Sequence, residues 1–126
     1  MTQPTVVVPI DPQAVADVLG AAPSDELLRL VVEVFQSLAD PTRVRMLYAL
    51  SRRSLCVRDL SLVAEVSESA VSHQLRFLRD RRIVTSRREG NVIYYALDDH
   101  HLKALFREAE YHADHVRQGR PDHSYS

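Results

Sequence analysis

Apolar positions recur at helical spacing over most of this chain and at alternating spacing over one short stretch. Leu27, Leu28, Val31, Val34, Phe35 and Leu38 mark one face of a helix, with Ser24 placed to cap it and Asp25 and Glu26 in its first turn. Asp40-Pro41 breaks that helix, and Pro41 opens a second one. Its Val44, Leu47, Tyr48 and Leu50 are expected to face inward, and it ends near Arg52. Leu55-Cys56-Val57 is short and β-prone. A short helix follows from about Val57 to Ala64, then a turn at Val66-Ser67. Ser67 caps a further helix from Glu68 to about Arg81, with Val71, Leu75 and Leu78 inward. Ile83 to Arg88 has the pattern of a strand, Glu89-Gly90-Asn91 that of a hairpin turn, and Val92 to Leu97 that of the return strand. Ile93 and Tyr95 then share one face and Tyr94 takes the other. Two short helices joined by a tight turn, followed by a two-stranded ribbon, predict a mainly α fold with a small β-hairpin wing: a winged helix-turn-helix.

The last pattern runs from Asp98 to His115. At about 100° per residue, Leu102, Leu105, Phe106, Ala109, Ala113 and Val116 form one apolar stripe. His101, His112 and His115 lie along its flank, His100 points away, and Asp99 sits at the helix start. Two ligand-like pairs result, Asp99 with His101 and His112 with His115. Along the axis they are roughly 19 Å apart, whereas zinc–nitrogen bonds are only about 2 Å. One helix cannot bring both pairs to one ion. Two copies packed antiparallel can, giving two equivalent sites of one Asp and three His, with the dyad near Arg107 and the apolar stripe as interface. Four such ligands suit tetrahedral Zn²⁺ or Co²⁺. Ni²⁺ wants more ligands, for which His100 or His123 is available. The plainer alternative is surface histidines that recur at helical spacing.

Around this centre the ends look loose. Residues 1–23 contain Pro4, Pro9, Pro12 and Pro23 and are expected to form a flexible arm, with room for a helical turn or two between Pro12 and Leu19. Residues 24–117 form the DNA-binding and dimerisation domain, and 118–126 a polar tail. Net charge is −1, but it is unevenly spread. Residues 41–90 hold eleven Arg against five acidic residues, and both ends are acidic. A basic middle points to a polyanion partner. No apolar run reaches the ~18 residues of a membrane span, and no basic-then-apolar leader precedes the arm. A single cysteine, Cys56, excludes an internal disulfide and suits a reducing cytoplasm. It is expected to pack as a small hydrophobe.

Leu38-Ala39-Asp40-Pro41-Thr42-Arg43, Leu55-Cys56-Val57-Arg58-Asp59-Leu60, Ser67-Glu68-Ser69-Ala70-Val71-Ser72-His73-Gln74-Leu75 and Tyr94-Tyr95-Ala96-Leu97 resemble the ArsR/SmtB family of winged-helix metal-sensing repressors. The Asp99, His101, His112, His115 spacing is similar to that family's zinc- and cobalt-responsive site on the C-terminal helix. The resemblance covers about residues 27–117. It implies a homodimer that binds double-stranded operator DNA without metal and releases it when metal binds, so that export or storage genes are derepressed. Where members with a thiolate site carry Cys-Val-Cys, this chain has Cys56-Val57-Arg58, and it lacks an arsenic-type cysteine pair. Both departures favour the histidine set and borderline metals.

Early on the expected recognition helix, Ser69, Ser72, His73 and Gln74 can donate to phosphates or read base edges. Arg76 and Arg79 extend the basic surface, and Arg87, Arg88 and Asn91 in the wing can reach phosphate or the minor groove. A zinc hydrolase is the alternative from another class. Catalytic zinc keeps an open position, which four protein ligands fill, and no HExxH glutamate accompanies the histidines. No small organic substrate is expected. A metal-independent repressor whose last helices only dimerise is the other alternative.

Overall fold

The computed structural model describes residues 6–119. They fall into two compact units, one up to Glu33 and one from Val34 onward.

In the first unit, helix α1 (Pro12–Ala21) forms where the sequence allowed a turn or two. Pro12 takes the first helical position, and the Asp11 carboxylate accepts the Ala14 N–H at 3.0 Å. No residue of α1 is buried, and Val15, Val18 and Leu19 are exposed. Helix α2 (Asp25–Leu38) starts as expected, with the Ser24 hydroxyl accepting from Leu27 N–H at 3.1 Å. This helix runs from the first unit into the second; on its apolar face Leu27, Leu28, Val31 and Phe35 are exposed, while Val34 and Leu38, in the second unit, are half-buried.

In the second unit the order is α3 (Pro41–Arg52), β1 (Leu55–Cys56), α4 (Val57–Ala64), α5 (Glu68–Asp80), β2 (Val84–Glu89), β3 (Val92–Leu97) and α6 (His100–Gln118). Asp40 caps α3 by accepting the Arg43 N–H at 3.0 Å. Met46, Leu47 and Leu50 of α3, Leu60 of α4, Val71, Leu75 and Leu78 of α5, and Ile83, Val84 and Leu97 beside the sheet make one core. Each fully buried aliphatic side chain of this kind contributes about 1.5–3 kcal/mol, so this core fixes the relative placement of α3, α4 and α5.

Two expectations for α3 are corrected. Val44 and Tyr48 are exposed, and Met46 takes the buried position instead. The inward side of α3 is set by α4 and β3. Val44 and Tyr48 therefore turn to an apolar groove of about 800 Å³, also lined by Phe35, Leu105, Phe106 and Ala109.

The α4–α5 turn is tight because Glu65 adopts the left-handed region (φ 58°, ψ 41°). Ser67 then caps α5, accepting from Ala70 N–H at 3.0 Å. After α5, Arg82 is also left-handed, and Ile83 N–H closes the helix end on Leu78 O at 2.9 Å. That bond delays the strand to Val84. The β2–β3 hairpin runs in register from Val84 opposite Leu97 to Glu89 opposite Val92. Gly90 turns it at φ 64°, a conformation costly for most side chains. The wing is three-stranded rather than two: β3 is central, with β1 on its other edge, Leu55 opposite Tyr95 and Cys56 opposite Tyr94.

Candidate nucleic-acid interface and metal-ligand pairs

Helix α5 buries Val71, Leu75 and Leu78 and leaves the opposite side to solvent. Of the residues singled out there, Ser69, Ser72, His73 and Arg76 are exposed, whereas Gln74 is half-buried. Arg76 and the neighbouring Arg79 make no hydrogen bond or ion pair with the described residues. The inner flank of α5 is braced differently. Two guanidiniums approach the Phe77 ring, Arg81 at 3.7 Å and Arg43 of α3 at 4.4 Å from its centroid.

In the wing, Arg87 is tied back. Its Nε donates to Glu89 at 3.0 Å, an Nη donates to the Ser54 hydroxyl at 3.1 Å, and its guanidinium stands over Tyr94. Arg88 donates from Nε to Gly90 O at 3.2 Å and stays exposed at the hairpin tip.

Helix α6 carries the ligand-like pairs at its two ends. Asp99 is its N-cap, and one carboxylate oxygen accepts from both His101 N–H and Leu102 N–H. The same oxygen is 3.6 Å from His101 Nδ1. Two donors on one tetrahedral ion with bonds of about 2.0–2.1 Å stand about 3.3 Å apart, so Asp99 and His101 need little movement to share an ion. His100 is exposed and stacks on His101 with ring centroids 4.0 Å apart. At the far end His112 is exposed, while His115 is buried and its ring lies 4.3 Å from that of Tyr111. Beside it, the Arg117 side chain hydrogen-bonds Asp114 and holds that carboxyl below the usual range. Among the described residues no three His, Cys, Asp or Glu side chains converge on one point. His123 lies outside the described residues. The apolar stripe of α6 is incompletely covered: Leu102, Leu105 and Phe106 are half-buried, and Ala109, Ala113 and Val116 are exposed. Cys56 is half-buried at the end of β1, not fully packed away.

Residues 40–86 match the model of the bacterial regulatory protein arsR family. The chain is 51% identical over 88 residues to a transcriptional repressor SmtB homolog of Synechocystis, covering 70% of this chain and 64% of that protein. Its fold matches the antimony-specific transcriptional repressor AntR with a TM-score of 0.70 and 31% identity, over 89% of this chain and 99% of that one. The chain belongs to the ArsR family. The fold also matches the homodimeric winged helix-turn-helix DNA-binding domain of Mb0332 from Mycobacterium bovis, described as a possible ArsR-family transcriptional regulator, with a TM-score of 0.71 and 26% identity over 82% and 98% of the two chains.

For an ArsR-family chain, the fold has the winged helix-turn-helix architecture expected, and the relatives are transcriptional repressors, not enzymes. Arg79, which the sequence already set with Arg76 on the basic surface, lines a cavity beside α5 with Ser72, Arg76 and Tyr95; it falls three residues beyond Arg76 and seven beyond Ser72 on one helical side.

Proposed function

We propose that this chain is a homodimeric, metal-responsive repressor that leaves its operator when Zn²⁺ binds between its subunits. Asp99 and His101 of one protomer, with His112 and His115 of the other, would hold each ion. The observation that carries this reading is the placement of two ligand pairs at opposite ends of one helix, with no third ligand beside either among the described residues. A second protomer running antiparallel supplies the missing half of each site. The exposed stripe of α6 and the exposed apolar residues of α2 offer the interface this needs. The donor set is nitrogen- and oxygen-rich, and the chain has one cysteine. It therefore suits borderline Zn²⁺, with Co²⁺ or Ni²⁺ as the alternative effectors, better than the thiophilic metalloid named for AntR.

On DNA, the α5 helices of the two protomers would enter successive major grooves through Ser69, Ser72, His73 and Arg76, with Arg88 at the wing. Ligation at both ends of α6 ties two sensing helices together and so restricts the spacing of the α5 helices. By linkage, metal weakens DNA binding by the factor by which DNA weakens metal binding. The protein would act in the cytoplasm on genes for metal export or storage.

A gel shift on the DNA upstream of its own gene, with Zn²⁺, Co²⁺, Ni²⁺ and Cd²⁺ in parallel, tests the reading. Release by Zn²⁺, with calorimetric uptake of about one ion per protomer lost in His112→Ala, supports it. Uptake without release, or release unaffected by His112→Ala, removes it.

A further inference from the structure

We propose that Ser72, Arg76, Arg79 and Tyr95 form a pocket for a single phosphodiester of the DNA backbone, at the seam between recognition helix and wing. The inference rests on the DNA-binding reading and adds to it the point at which the strand is gripped. These four residues, with Leu75 and Asp80, line a cavity of about 460 Å³. At ~30 Å³ per water it admits a phosphate with part of its hydration shell. Ser72, Arg76 and Arg79 occur at i, i+4 and i+7 on α5, and so stand one above another along one helical side. Tyr95 belongs to β3, the central strand, so the opposite wall is part of the rigid sheet.

The charges at this place are two arginines that share one cavity and have no carboxylate partner there. Arg76 has Asp80 four residues ahead, the spacing of a helical ion pair, yet neither Arg76 nor Arg79 pairs with it. By contrast, Arg43, Arg45, Arg52, Arg87 and Arg117 are all within ion-pair reach of a carboxylate. Two guanidiniums, each a rigid fork of donors suited to phosphate oxygens, therefore face the cavity without an acceptor among the described residues. With the Asp80 carboxylate included, the lining carries a net charge of +1. That matches a phosphodiester monoanion better than a free phosphate, which carries nearly two charges near neutral pH. The neighbouring outer side of α5 holds Ser69 and His73, so a strand lying along that side brings its backbone to the seam.

The test measures affinity for the upstream duplex and for a scrambled duplex across a salt series. One phosphate contact changes the log–log salt slope by about 0.9, or about eightfold in affinity between 0.1 M and 1 M salt. In the proposed homodimer each substitution removes two such contacts, so Arg79→Gln and Arg76→Gln are each expected to flatten the slope by about 1.8 and to weaken both duplexes alike. Both residues are exposed, and circular dichroism checks that the variants fold. A scan with single uncharged methylphosphonates should find one position in each half-site whose replacement weakens wild type but not Arg79→Gln. An unchanged slope, a changed preference between duplexes, or arginine NMR shifts with inorganic phosphate but no effect of Arg79→Gln on duplex binding would overturn the pocket. If wild type binds neither duplex, the DNA-binding reading falls as well; binding with an unaltered slope in the variants sinks the pocket alone.

Discussion

The Asp99 carboxylate meets His101 at two places: one oxygen accepts the His101 backbone N–H at 2.9 Å and lies 3.6 Å from Nδ1 of its imidazole. The cap of α6 and a proposed metal ligand are thus one side chain. Asn caps helices about as well as Asp, and Ala does not, at a cost of about 1 kcal/mol. Asp99→Asn should keep the urea midpoint of the metal-free protein near wild type and weaken Zn²⁺ binding by more than tenfold. Asp99→Ala should lower both. Denaturation and calorimetry on the two variants separate the roles; equal Zn²⁺ affinity in wild type and Asp99→Asn would remove Asp99 from the ligand set.

The proposed completion of each site by the other subunit has a consequence that no intrachain site shares. Asp99→Ala/His101→Ala and His112→Ala/His115→Ala should each fail to bind Zn²⁺ tightly as homodimers. In a mixed dimer of the two, one site loses all four ligands and the other keeps all four. Mixing them should therefore restore about one tight ion per mixed dimer, measurable by competition with a chromophoric chelator after subunit exchange. No recovery on mixing, with exchange verified by mass spectrometry, counts against the antiparallel arrangement.

The recognition helix is anchored on its inner flank by the stack of Arg43, Phe77 and Arg81. The Arg43 side chain is 17% exposed, and its Nε is buried without a hydrogen bond, though 3.9 Å from the Asp40 carboxylate. The flat ring face is its main partner on α5. Each cation–π contact contributes about 0.5–1 kcal/mol near a surface and more when desolvated. Phe77→Leu keeps an apolar side chain but no π face, and should cost about 1–2 kcal/mol in urea denaturation. Arg43→Met in the Phe77→Leu background should cost less than in wild type. Additivity of the two changes would show that the ring and the guanidinium do not act together.

Local chemistry made most of the elements legible. Ser24, Ser67 and Pro41 mark helix starts because capping and proline act within three residues of themselves. Gly90 marks the hairpin for the same reason. What the sequence did not show depends on distant neighbours. The inward side of α3 is chosen by α4 and β3, so periodicity placed Val44 and Tyr48 inside where Met46 belongs. Strand β1 has two residues and no pattern of its own; only its pairing with Tyr94 and Tyr95 makes it a strand. The placement of Asp99 and His101 at one end of α6 and of His112 and His115 at the other was legible because all four belong to one helix and its cap, where spacing converts directly to position. Burial of His115 against Tyr111 was not, because it depends on what surrounds the last turns of α6.

The wing supplies a last prediction, in which removing a charge strengthens binding. Arg87 is held by Glu89 at 3.0 Å and by Ser54 at 3.1 Å, with both members of the ion pair more than half exposed. Exposed pairs contribute about 0–1 kcal/mol, so releasing Arg87 costs the fold little. Glu89→Gln removes a negative charge beside the expected path of the DNA and frees one guanidinium to neutralise a phosphate. Affinity for the upstream duplex should rise about threefold or more at 0.1 M salt, with the log–log slope steeper by up to about 1.8 for the two wings of the proposed homodimer. The gain should be absent in Glu89→Gln/Arg87→Ala. A rise that survives in the double variant would trace to the lost carboxylate alone, and no rise in either would place the hairpin away from the DNA.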